Sequence, residues 1–161
     1  IHDNFLPLDQ FRHLQNKIFD HNFPWRLSQN SELITNDGNA GMYFTYSFFS
    51  DYSPTSDLYQ IMIVPILRQM NCLAPLNVRT NMFLSKLFTK CNWHTDYNYE
   101  STTSILYLNS CNGGTEFKID NEIKFVMSQE NRLVTFPAKT EHRVCTSTNS
   151  DTRRIINFNY F

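Results

Sequence analysis

The sequence is short of charge, of glycine and of long apolar runs, and each shortage removes a class of protein. Charged residues are 18% of the 161 and balance to a net −1. No basic face for nucleic acid is expected from that balance. Four glycines and six prolines exclude collagen-like and low-complexity chains. The longest apolar run, 61–67, is far too short for a membrane span, and no basic-then-apolar leader opens the sequence. The first residue is Ile1 rather than Met, so a trimmed N-terminus is the expectation. The cysteines, Cys72, Cys91, Cys111 and Cys145, form no Cys-x-x-Cys pair. That rules out a zinc ribbon, and at this length a disulfide framework is not expected. Asparagine is abundant, yet no Asn-x-Ser/Thr acceptor occurs, which favours an intracellular, reducing setting.

Aromatics are plentiful instead. They are 15% of the chain, with 14 Phe and 8 Tyr, a bias toward strands. With 41% hydrophobic residues the chain can fill one core without staples. Pro7 opens a helix to about Asp20 that places Leu8, Phe11, Leu14 and Ile18 on one side. Asn36-Asp37-Gly38 signals a turn, and 42–49 reads as a strand. Ser53-Pro54-Thr55-Ser56 signals a second helix to about Met70, with Pro65 able to kink it. From Leu76 the pattern changes to short β runs at 76–84, 92–97, 103–109, 115–119, 122–126, 132–136, 142–145 and 153–160. Eight short strands with regular turns predict a sandwich or barrel. One domain, 1–161, is expected, with 1–75 as helical and β support and 76–161 as the core.

Of the five histidines, His2, His13 and His21 lie near the first helix and read as surface or packing residues. His94 and Asp96 stand two apart on an expected strand, so both face the same way. Alone, such a pair is too common to mean much. His142, on a later strand, completes two imidazoles and one carboxylate. That set can hold one face of an octahedral Fe(II) ion and leave three positions open. Arg153 opens the last strand beside Arg154, on a run otherwise uncharged. An arginine aimed into a β core is costly unless an anion meets it. A carboxylate does so in two-pronged fashion, with about 1.5–3 kcal/mol for the charge-assisted bond. Strand alternation sends one of the two arginines inward without saying which.

Taken in order, His94-Thr-Asp96, Ile105-Leu-Tyr-Leu-Asn109, Gly113-Gly-Thr-Glu-Phe117, Asn131-Arg-Leu-Val-Thr-Phe136, His142 and Arg153 resemble the prolyl 4-hydroxylase-like 2-oxoglutarate/Fe(II) oxygenases. The resemblance is greatest to a short type from marine phages and bacteria that ends in a similar Asn-Phe-Asn-Tyr-Phe tail. It implies an α+β, mainly β fold: a double-stranded β-helix (jelly-roll) with N-terminal helices packed on one sheet. It implies an oxidoreductase, a 2-oxoglutarate-dependent dioxygenase that hydroxylates an unactivated C–H bond and releases succinate and CO2. A prolyl, peptidyl or small-molecule substrate is implied, with ascorbate as reductant, in the cytoplasm of a bacterium or phage-infected cell, as a monomer or weak dimer.

By position, the resemblance makes His94, Asp96 and His142 the iron ligands. Arg153 and Tyr107 hold the C5 carboxylate of 2-oxoglutarate. Asn157, with Asn159 on the same strand face as Arg153, lines the cosubstrate pocket. Many relatives carry Tyr-Pro-Gly before the metal strand; here Phe83 stands where the phenol would be, and either Asn81 substitutes or the contact is absent. The spacing from His142 to Arg153 is slightly long, and the 146–151 turn absorbs it. Asp96 argues against a halogenase, and the loop 97–101 is the expected substrate contact. Two other classes stay open: a non-enzymatic jelly-roll binding or structural module of a phage, and a zinc-binding cupin-like protein.

Overall fold

The structure is a computed structural model that describes residues 1–34, 40–84 and 90–161. The expected turn at Asn36-Asp37-Gly38 lies outside the described residues.

Helix α1 spans Leu8–Phe19 and buries Phe11, Leu14 and Ile18, as the spacing predicts. Leu8 departs from that stripe and is exposed. The second helix begins later than Ser53. Ser53–Pro54 instead forms a two-residue strand, β3, on the end of β2 (Ala40–Ser50). A π-helical turn then runs over Tyr59–Ile63 and leads directly into α2, Val64–Gln69. Pro65 accounts for the wide turn. Its ring would clash with the carbonyl four residues back, and the expanded turn relieves this while Val64 N–H bonds back to Tyr59.

The strands are β1 (Arg26–Ile34), β2, β3, β4 (Pro75–Leu84), β5 (Thr102–Tyr107), β6 (Gly114–Ile119), β7 (Glu122–Met127), β8 (Arg132–Pro137), β9 (His142–Cys145) and β10 (Thr152–Tyr160). One sheet runs β1-β2-β4-β10-β5-β8, and a smaller one runs β7-β6-β9. The chain therefore crosses repeatedly between two sheets, which is the winding of a double-stranded β-helix. The sequence reading missed β1, whose Ser-, Gln- and Asn-rich composition carries little strand signal. It also expected a full strand over 92–97. That segment pairs with β9 only through isolated bridges, Lys90 with Cys145 and His94 with His142. Asp96 N–H donates to Ala138 outside any ladder.

Two apolar clusters result. Phe11, Leu14 and Ile18 of α1, with Ile63 and Ile66, pack on the outer face of the large sheet against Val78, Leu106, Ile156 and Phe158. The second cluster lies between the sheets, where Phe83, Ile105 and Tyr107 meet Phe117 and Val144. Among the described residues no helix is long and apolar enough to cross a membrane.

Asn131 ties the N-terminal segment to the barrel. It is buried, sits at a left-handed φ of 59°, accepts from Leu6 N–H at 2.9 Å and donates to Leu6 C=O at 2.8 Å. Replacing it by Ala leaves two buried backbone groups unpaired, at about 1–3 kcal/mol each. Asn131→Ala is therefore expected to lower stability by roughly 2–4 kcal/mol in urea unfolding. A loss under about 1 kcal/mol would show that this side chain does not hold the segment.

Candidate metal centre and its cavity

A cavity of about 220 Å³ opens between the two sheets, and His94, Asp96, His142 and Arg153 all line it. One ligand atom from each of His94, Asp96 and His142 lies within 4.8 Å of the others. Three separate devices hold them there. Reciprocal backbone bonds of 3.0 and 2.9 Å join His94 to His142. Asp96 Oδ2 accepts from Thr103 Oγ1 and Asn159 Nδ2, both at 2.8 Å. His142 Nδ1 donates to Thr140 C=O at 2.9 Å. A carbonyl only accepts, so that bond fixes the proton on Nδ1 and turns the Nε2 lone pair toward Asp96 Oδ1, 3.8 Å away.

The electrostatics suit a cation. Burial raises the Asp96 carboxyl, but His142 and the Asn159 and Thr103 bonds outweigh it, leaving the carboxyl below its ordinary value. Burial, then the neighbouring His94, push His142 down and so favour the neutral, ligating imidazole. No thiolate competes close by: burial pushes the Cys91 thiol up to about 12. Behind the metal segment, Glu116 receives Lys90 at 2.6 Å and Arg143 at 2.7 Å, which clamps residue 90 to the small sheet.

Arg153 has no accessible surface. Its Nη2 donates to Thr115 Oγ1 at 3.0 Å, while Nε and Nη1 are buried without partners. Its guanidinium lies 5.6 Å from the Phe83 ring centre and 5.2 Å from that of Tyr107. Arg154 turns the other way and covers Phe19 of α1 at 4.0 Å. The inward arginine is thus Arg153.

The remaining expected residues fall differently from one another. Tyr107 is fully buried but does not line the cavity; its hydroxyl donates to Thr115 Oγ1 at 2.8 Å. Its reach to the cavity runs through Thr115, where a direct contact was expected. Asn157 lines the cavity, yet its Nδ2 points to Asp96 Oδ2 at 3.5 Å, beside the metal trio rather than beside Arg153. Asn81 lines the cavity and accepts from Thr45 Oγ1 at 2.9 Å. From the expected loop, Tyr97 lines the cavity and stacks on Tyr99.

Among the lining residues that the sequence reading passed over are Thr115, Arg79 and Asn77. Thr115 had a signal, since it follows the Gly113-Gly114 pair. A Cβ on Gly114 would stand 2.2 Å from Val126 C=O, so glycine alone lets β7 close against β6 here. Tyr43 stacks on Phe83 across the β2–β4 register at 5.6 Å, bringing a phenol beside the position where Phe83 lacks one. Nothing local marked Arg79, whose placement depends on strand pairing.

A buried cation with two orphaned donors fits an anionic ligand, and two imidazoles with one carboxylate fit Fe(II). Comparison with known proteins agrees. Residues 82–161 match the family described as the 2OG-Fe(II) oxygenase superfamily. A prolyl-4-hydroxylase from Pseudomonas putida shares the fold at TM-score 0.74 and 12% identity, over 99% of this chain and 89% of that one. A Trichoplax adhaerens prolyl hydroxylase, solved with a hypoxia inducible factor peptide fragment, gives 0.72 and 13%, over 99% and 81%. The carbocyclase SnoK from nogalamycin biosynthesis gives 0.68 and 11%, over 96% and 76%. No curated protein sequence matches the chain.

His142→Ala removes one of three candidate ligands from a site whose geometry the backbone bonds still hold. Fe(II) affinity, followed anaerobically by calorimetry, is expected to fall at least a hundredfold with far-UV circular dichroism unchanged. Undiminished binding would place the metal elsewhere.

Proposed function

Because the chain belongs, through residues 82–161, to the 2OG-Fe(II) oxygenase superfamily, we propose that it hydroxylates an unactivated C–H bond of a small-molecule or peptidyl substrate. His94, Asp96 and His142 hold the metal, and Arg153 holds the cosubstrate. When bound, Fe(II) would supply the oxidising chemistry with dioxygen as the oxidant, one oxygen atom going into the substrate C–H bond and the other into 2-oxoglutarate, which leaves as succinate and CO2. The observation that carries this reading is Arg153: a charged group without accessible surface, two donors unpartnered, lining the same cavity as the metal trio.

The chain's own residues then divide the work. Arg153 offers Nε and Nη1 to the distal carboxylate of the cosubstrate. Thr115 Oγ1 accepts from both Arg153 and Tyr107. A hydroxyl that already accepts twice keeps one proton to give, and Thr115 gives it to the same carboxylate. Tyr107 acts through Thr115 as a positioning residue. Phe83, Ile105, Val144 and Ile155 line the cavity around these polar groups and keep water from them. Asn159 and Thr103 leave Asp96 Oδ1 free for the metal by occupying Oδ2. The first 75 residues support the site and add Tyr43 to its lining, and residues 76–161 carry the polar groups.

An anaerobic titration with Fe(II) and then 2-oxoglutarate tests the reading directly. A visible charge-transfer band that needs both components is the expected result; Fe(II) binding with no band on adding 2-oxoglutarate would sink it. Arg153→Ala should raise the 2-oxoglutarate concentration needed for the band by at least about tenfold, given roughly 1.4 kcal/mol per decade, and Arg154→Ala should not. Equal effects of both would mean the clamp lies elsewhere.

A further inference from the structure

The cavity contains a second set of unsatisfied polar groups, apart from Arg153. Asn77 and Arg79 of β4 line it, opposite Asn159 and Asn157 of β10 in the strand register. Arg79 Nε is buried without a hydrogen-bond partner, and its charge acts on the Asp96 carboxylate from beyond ion-pair distance. Asn77 Oδ1 and Asn157 Oδ1 are likewise buried and unpartnered. The orientation of Asn157 is forced, because its Nδ2 faces the Asp96 carboxylate, which only accepts. Its oxygen therefore points away from that carboxylate and stays without a partner.

This set is distinct from the Arg153 clamp. Arg153 pairs with Phe83 and Arg79 with Asn157, so the two rows are four residues apart along β4. At about 3.3 Å per residue that is roughly 13 Å. The four C–C bonds of a five-carbon diacid, at about 1.5 Å each, span under about 6 Å. A cosubstrate clamped at Arg153 extends from the first row toward the metal trio, and the second row stands at the level of that trio, where Asn157 and Asn159 border Asp96. What remains is a guanidinium donor beside carbonyl acceptors, which asks for an anion and a cationic donor on one ligand. A cavity of about 220 Å³ that also takes the cosubstrate leaves space for a small head group rather than a length of peptide.

We propose that Arg79, Asn157 and Asn77 form the substrate subsite for the zwitterionic head of a free α-amino acid. Arg79 binds the carboxylate, and the two amide oxygens accept from the ammonium. This rests on the oxygenase reading, which assigns the other end of the cavity to the cosubstrate, and it narrows the substrate to one class.

The test uses the protein loaded anaerobically with Fe(II) and 2-oxoglutarate. The twenty common L-amino acids are added singly, with binding followed by calorimetry and by perturbation of the charge-transfer band. At least one is expected to bind. Its affinity should fall tenfold or more when its carboxylate is amidated, and by a similar factor in Arg79→Gln, while the 2-oxoglutarate affinity of that variant stays within threefold. The amidated ligand tests the wild-type protein, so a poorly folded variant does not void the result. Binding of none of the twenty, indifference to both changes, binding only of acidic peptides, or a loss confined to 2-oxoglutarate each overturns the subsite. If the wild-type band forms but no amino acid perturbs it, only this inference fails. If no band forms, the oxygenase reading fails with it.

Discussion

A guanidinium with no accessible surface, held between two β-sheets, sets the terms for the rest of this site. Removing such a charge from water costs several kcal/mol unless strong partners replace the lost hydration. Arg153 has one hydrogen-bonded partner in Thr115 and two flanking rings, Phe83 and Tyr107. Two donors are left over. The protein alone therefore does not complete its own interior, which is why the proposed function gives this place to the carboxylate of the cosubstrate. Thr115 can stand at that point only because Gly113 and Gly114 let neighbouring backbone close in without a side chain between. The glycine pair, the threonine and the arginine are thus one device, although they lie on β10 and on the turn into β6.

The metal trio depends on a different kind of support. The segment carrying His94 and Asp96 is too irregular to be a strand, yet it is held from several sides. The His94–His142 backbone pair fixes one end, Ala138 catches Asp96 N–H, and Glu116 draws Lys90 against β9 and β6. Irregularity has a use here. Alternate residues on a regular strand face the partner sheet side by side, whereas the bridged segment lets an imidazole and a carboxylate converge on one point from the same short stretch. Convergence of rigidly held ligands is what sets coordination geometry in advance of the metal.

Much of this arrangement was legible in the chain. The runs 153–160, 103–109 and 115–119 placed strands to within a residue or two, since each is a short stretch with β-branched or aromatic residues bounded by turn residues. The ordered motifs located His94, Asp96, His142 and Arg153. Alternation could not say which of Arg153 and Arg154 turns inward, because the choice depends on α1, whose Phe19 accepts Arg154. Nor could it place Tyr107 behind Thr115, which takes the packing of β5 against β6. Arg79 was invisible for a related reason. It enters the cavity through the pairing of β4 with β10, and pairing partners far apart in sequence leave no local mark.

The last strand shows how one sequence serves both sides of the large sheet. Its even residues, Arg154, Ile156 and Phe158, with Tyr160, face the helices; Ile156 and Phe158 fill the outer core with Phe11 and Ile18. Its odd residues, Arg153, Ile155, Asn157 and Asn159, face the cavity. A sheet with this inner face would be poorly stabilised by packing between the sheets alone, because an arginine and two asparagines there contribute polar groups where a sandwich needs apolar ones. The outer cluster supplies what the inner face gives up. Burial of α1 and α2 on the far side, at about 25 cal/mol per Å² of apolar surface, lets the inner face remain polar and partly unsatisfied. The N-terminal helices are in this sense a condition of the site, although none of their residues lines the cavity.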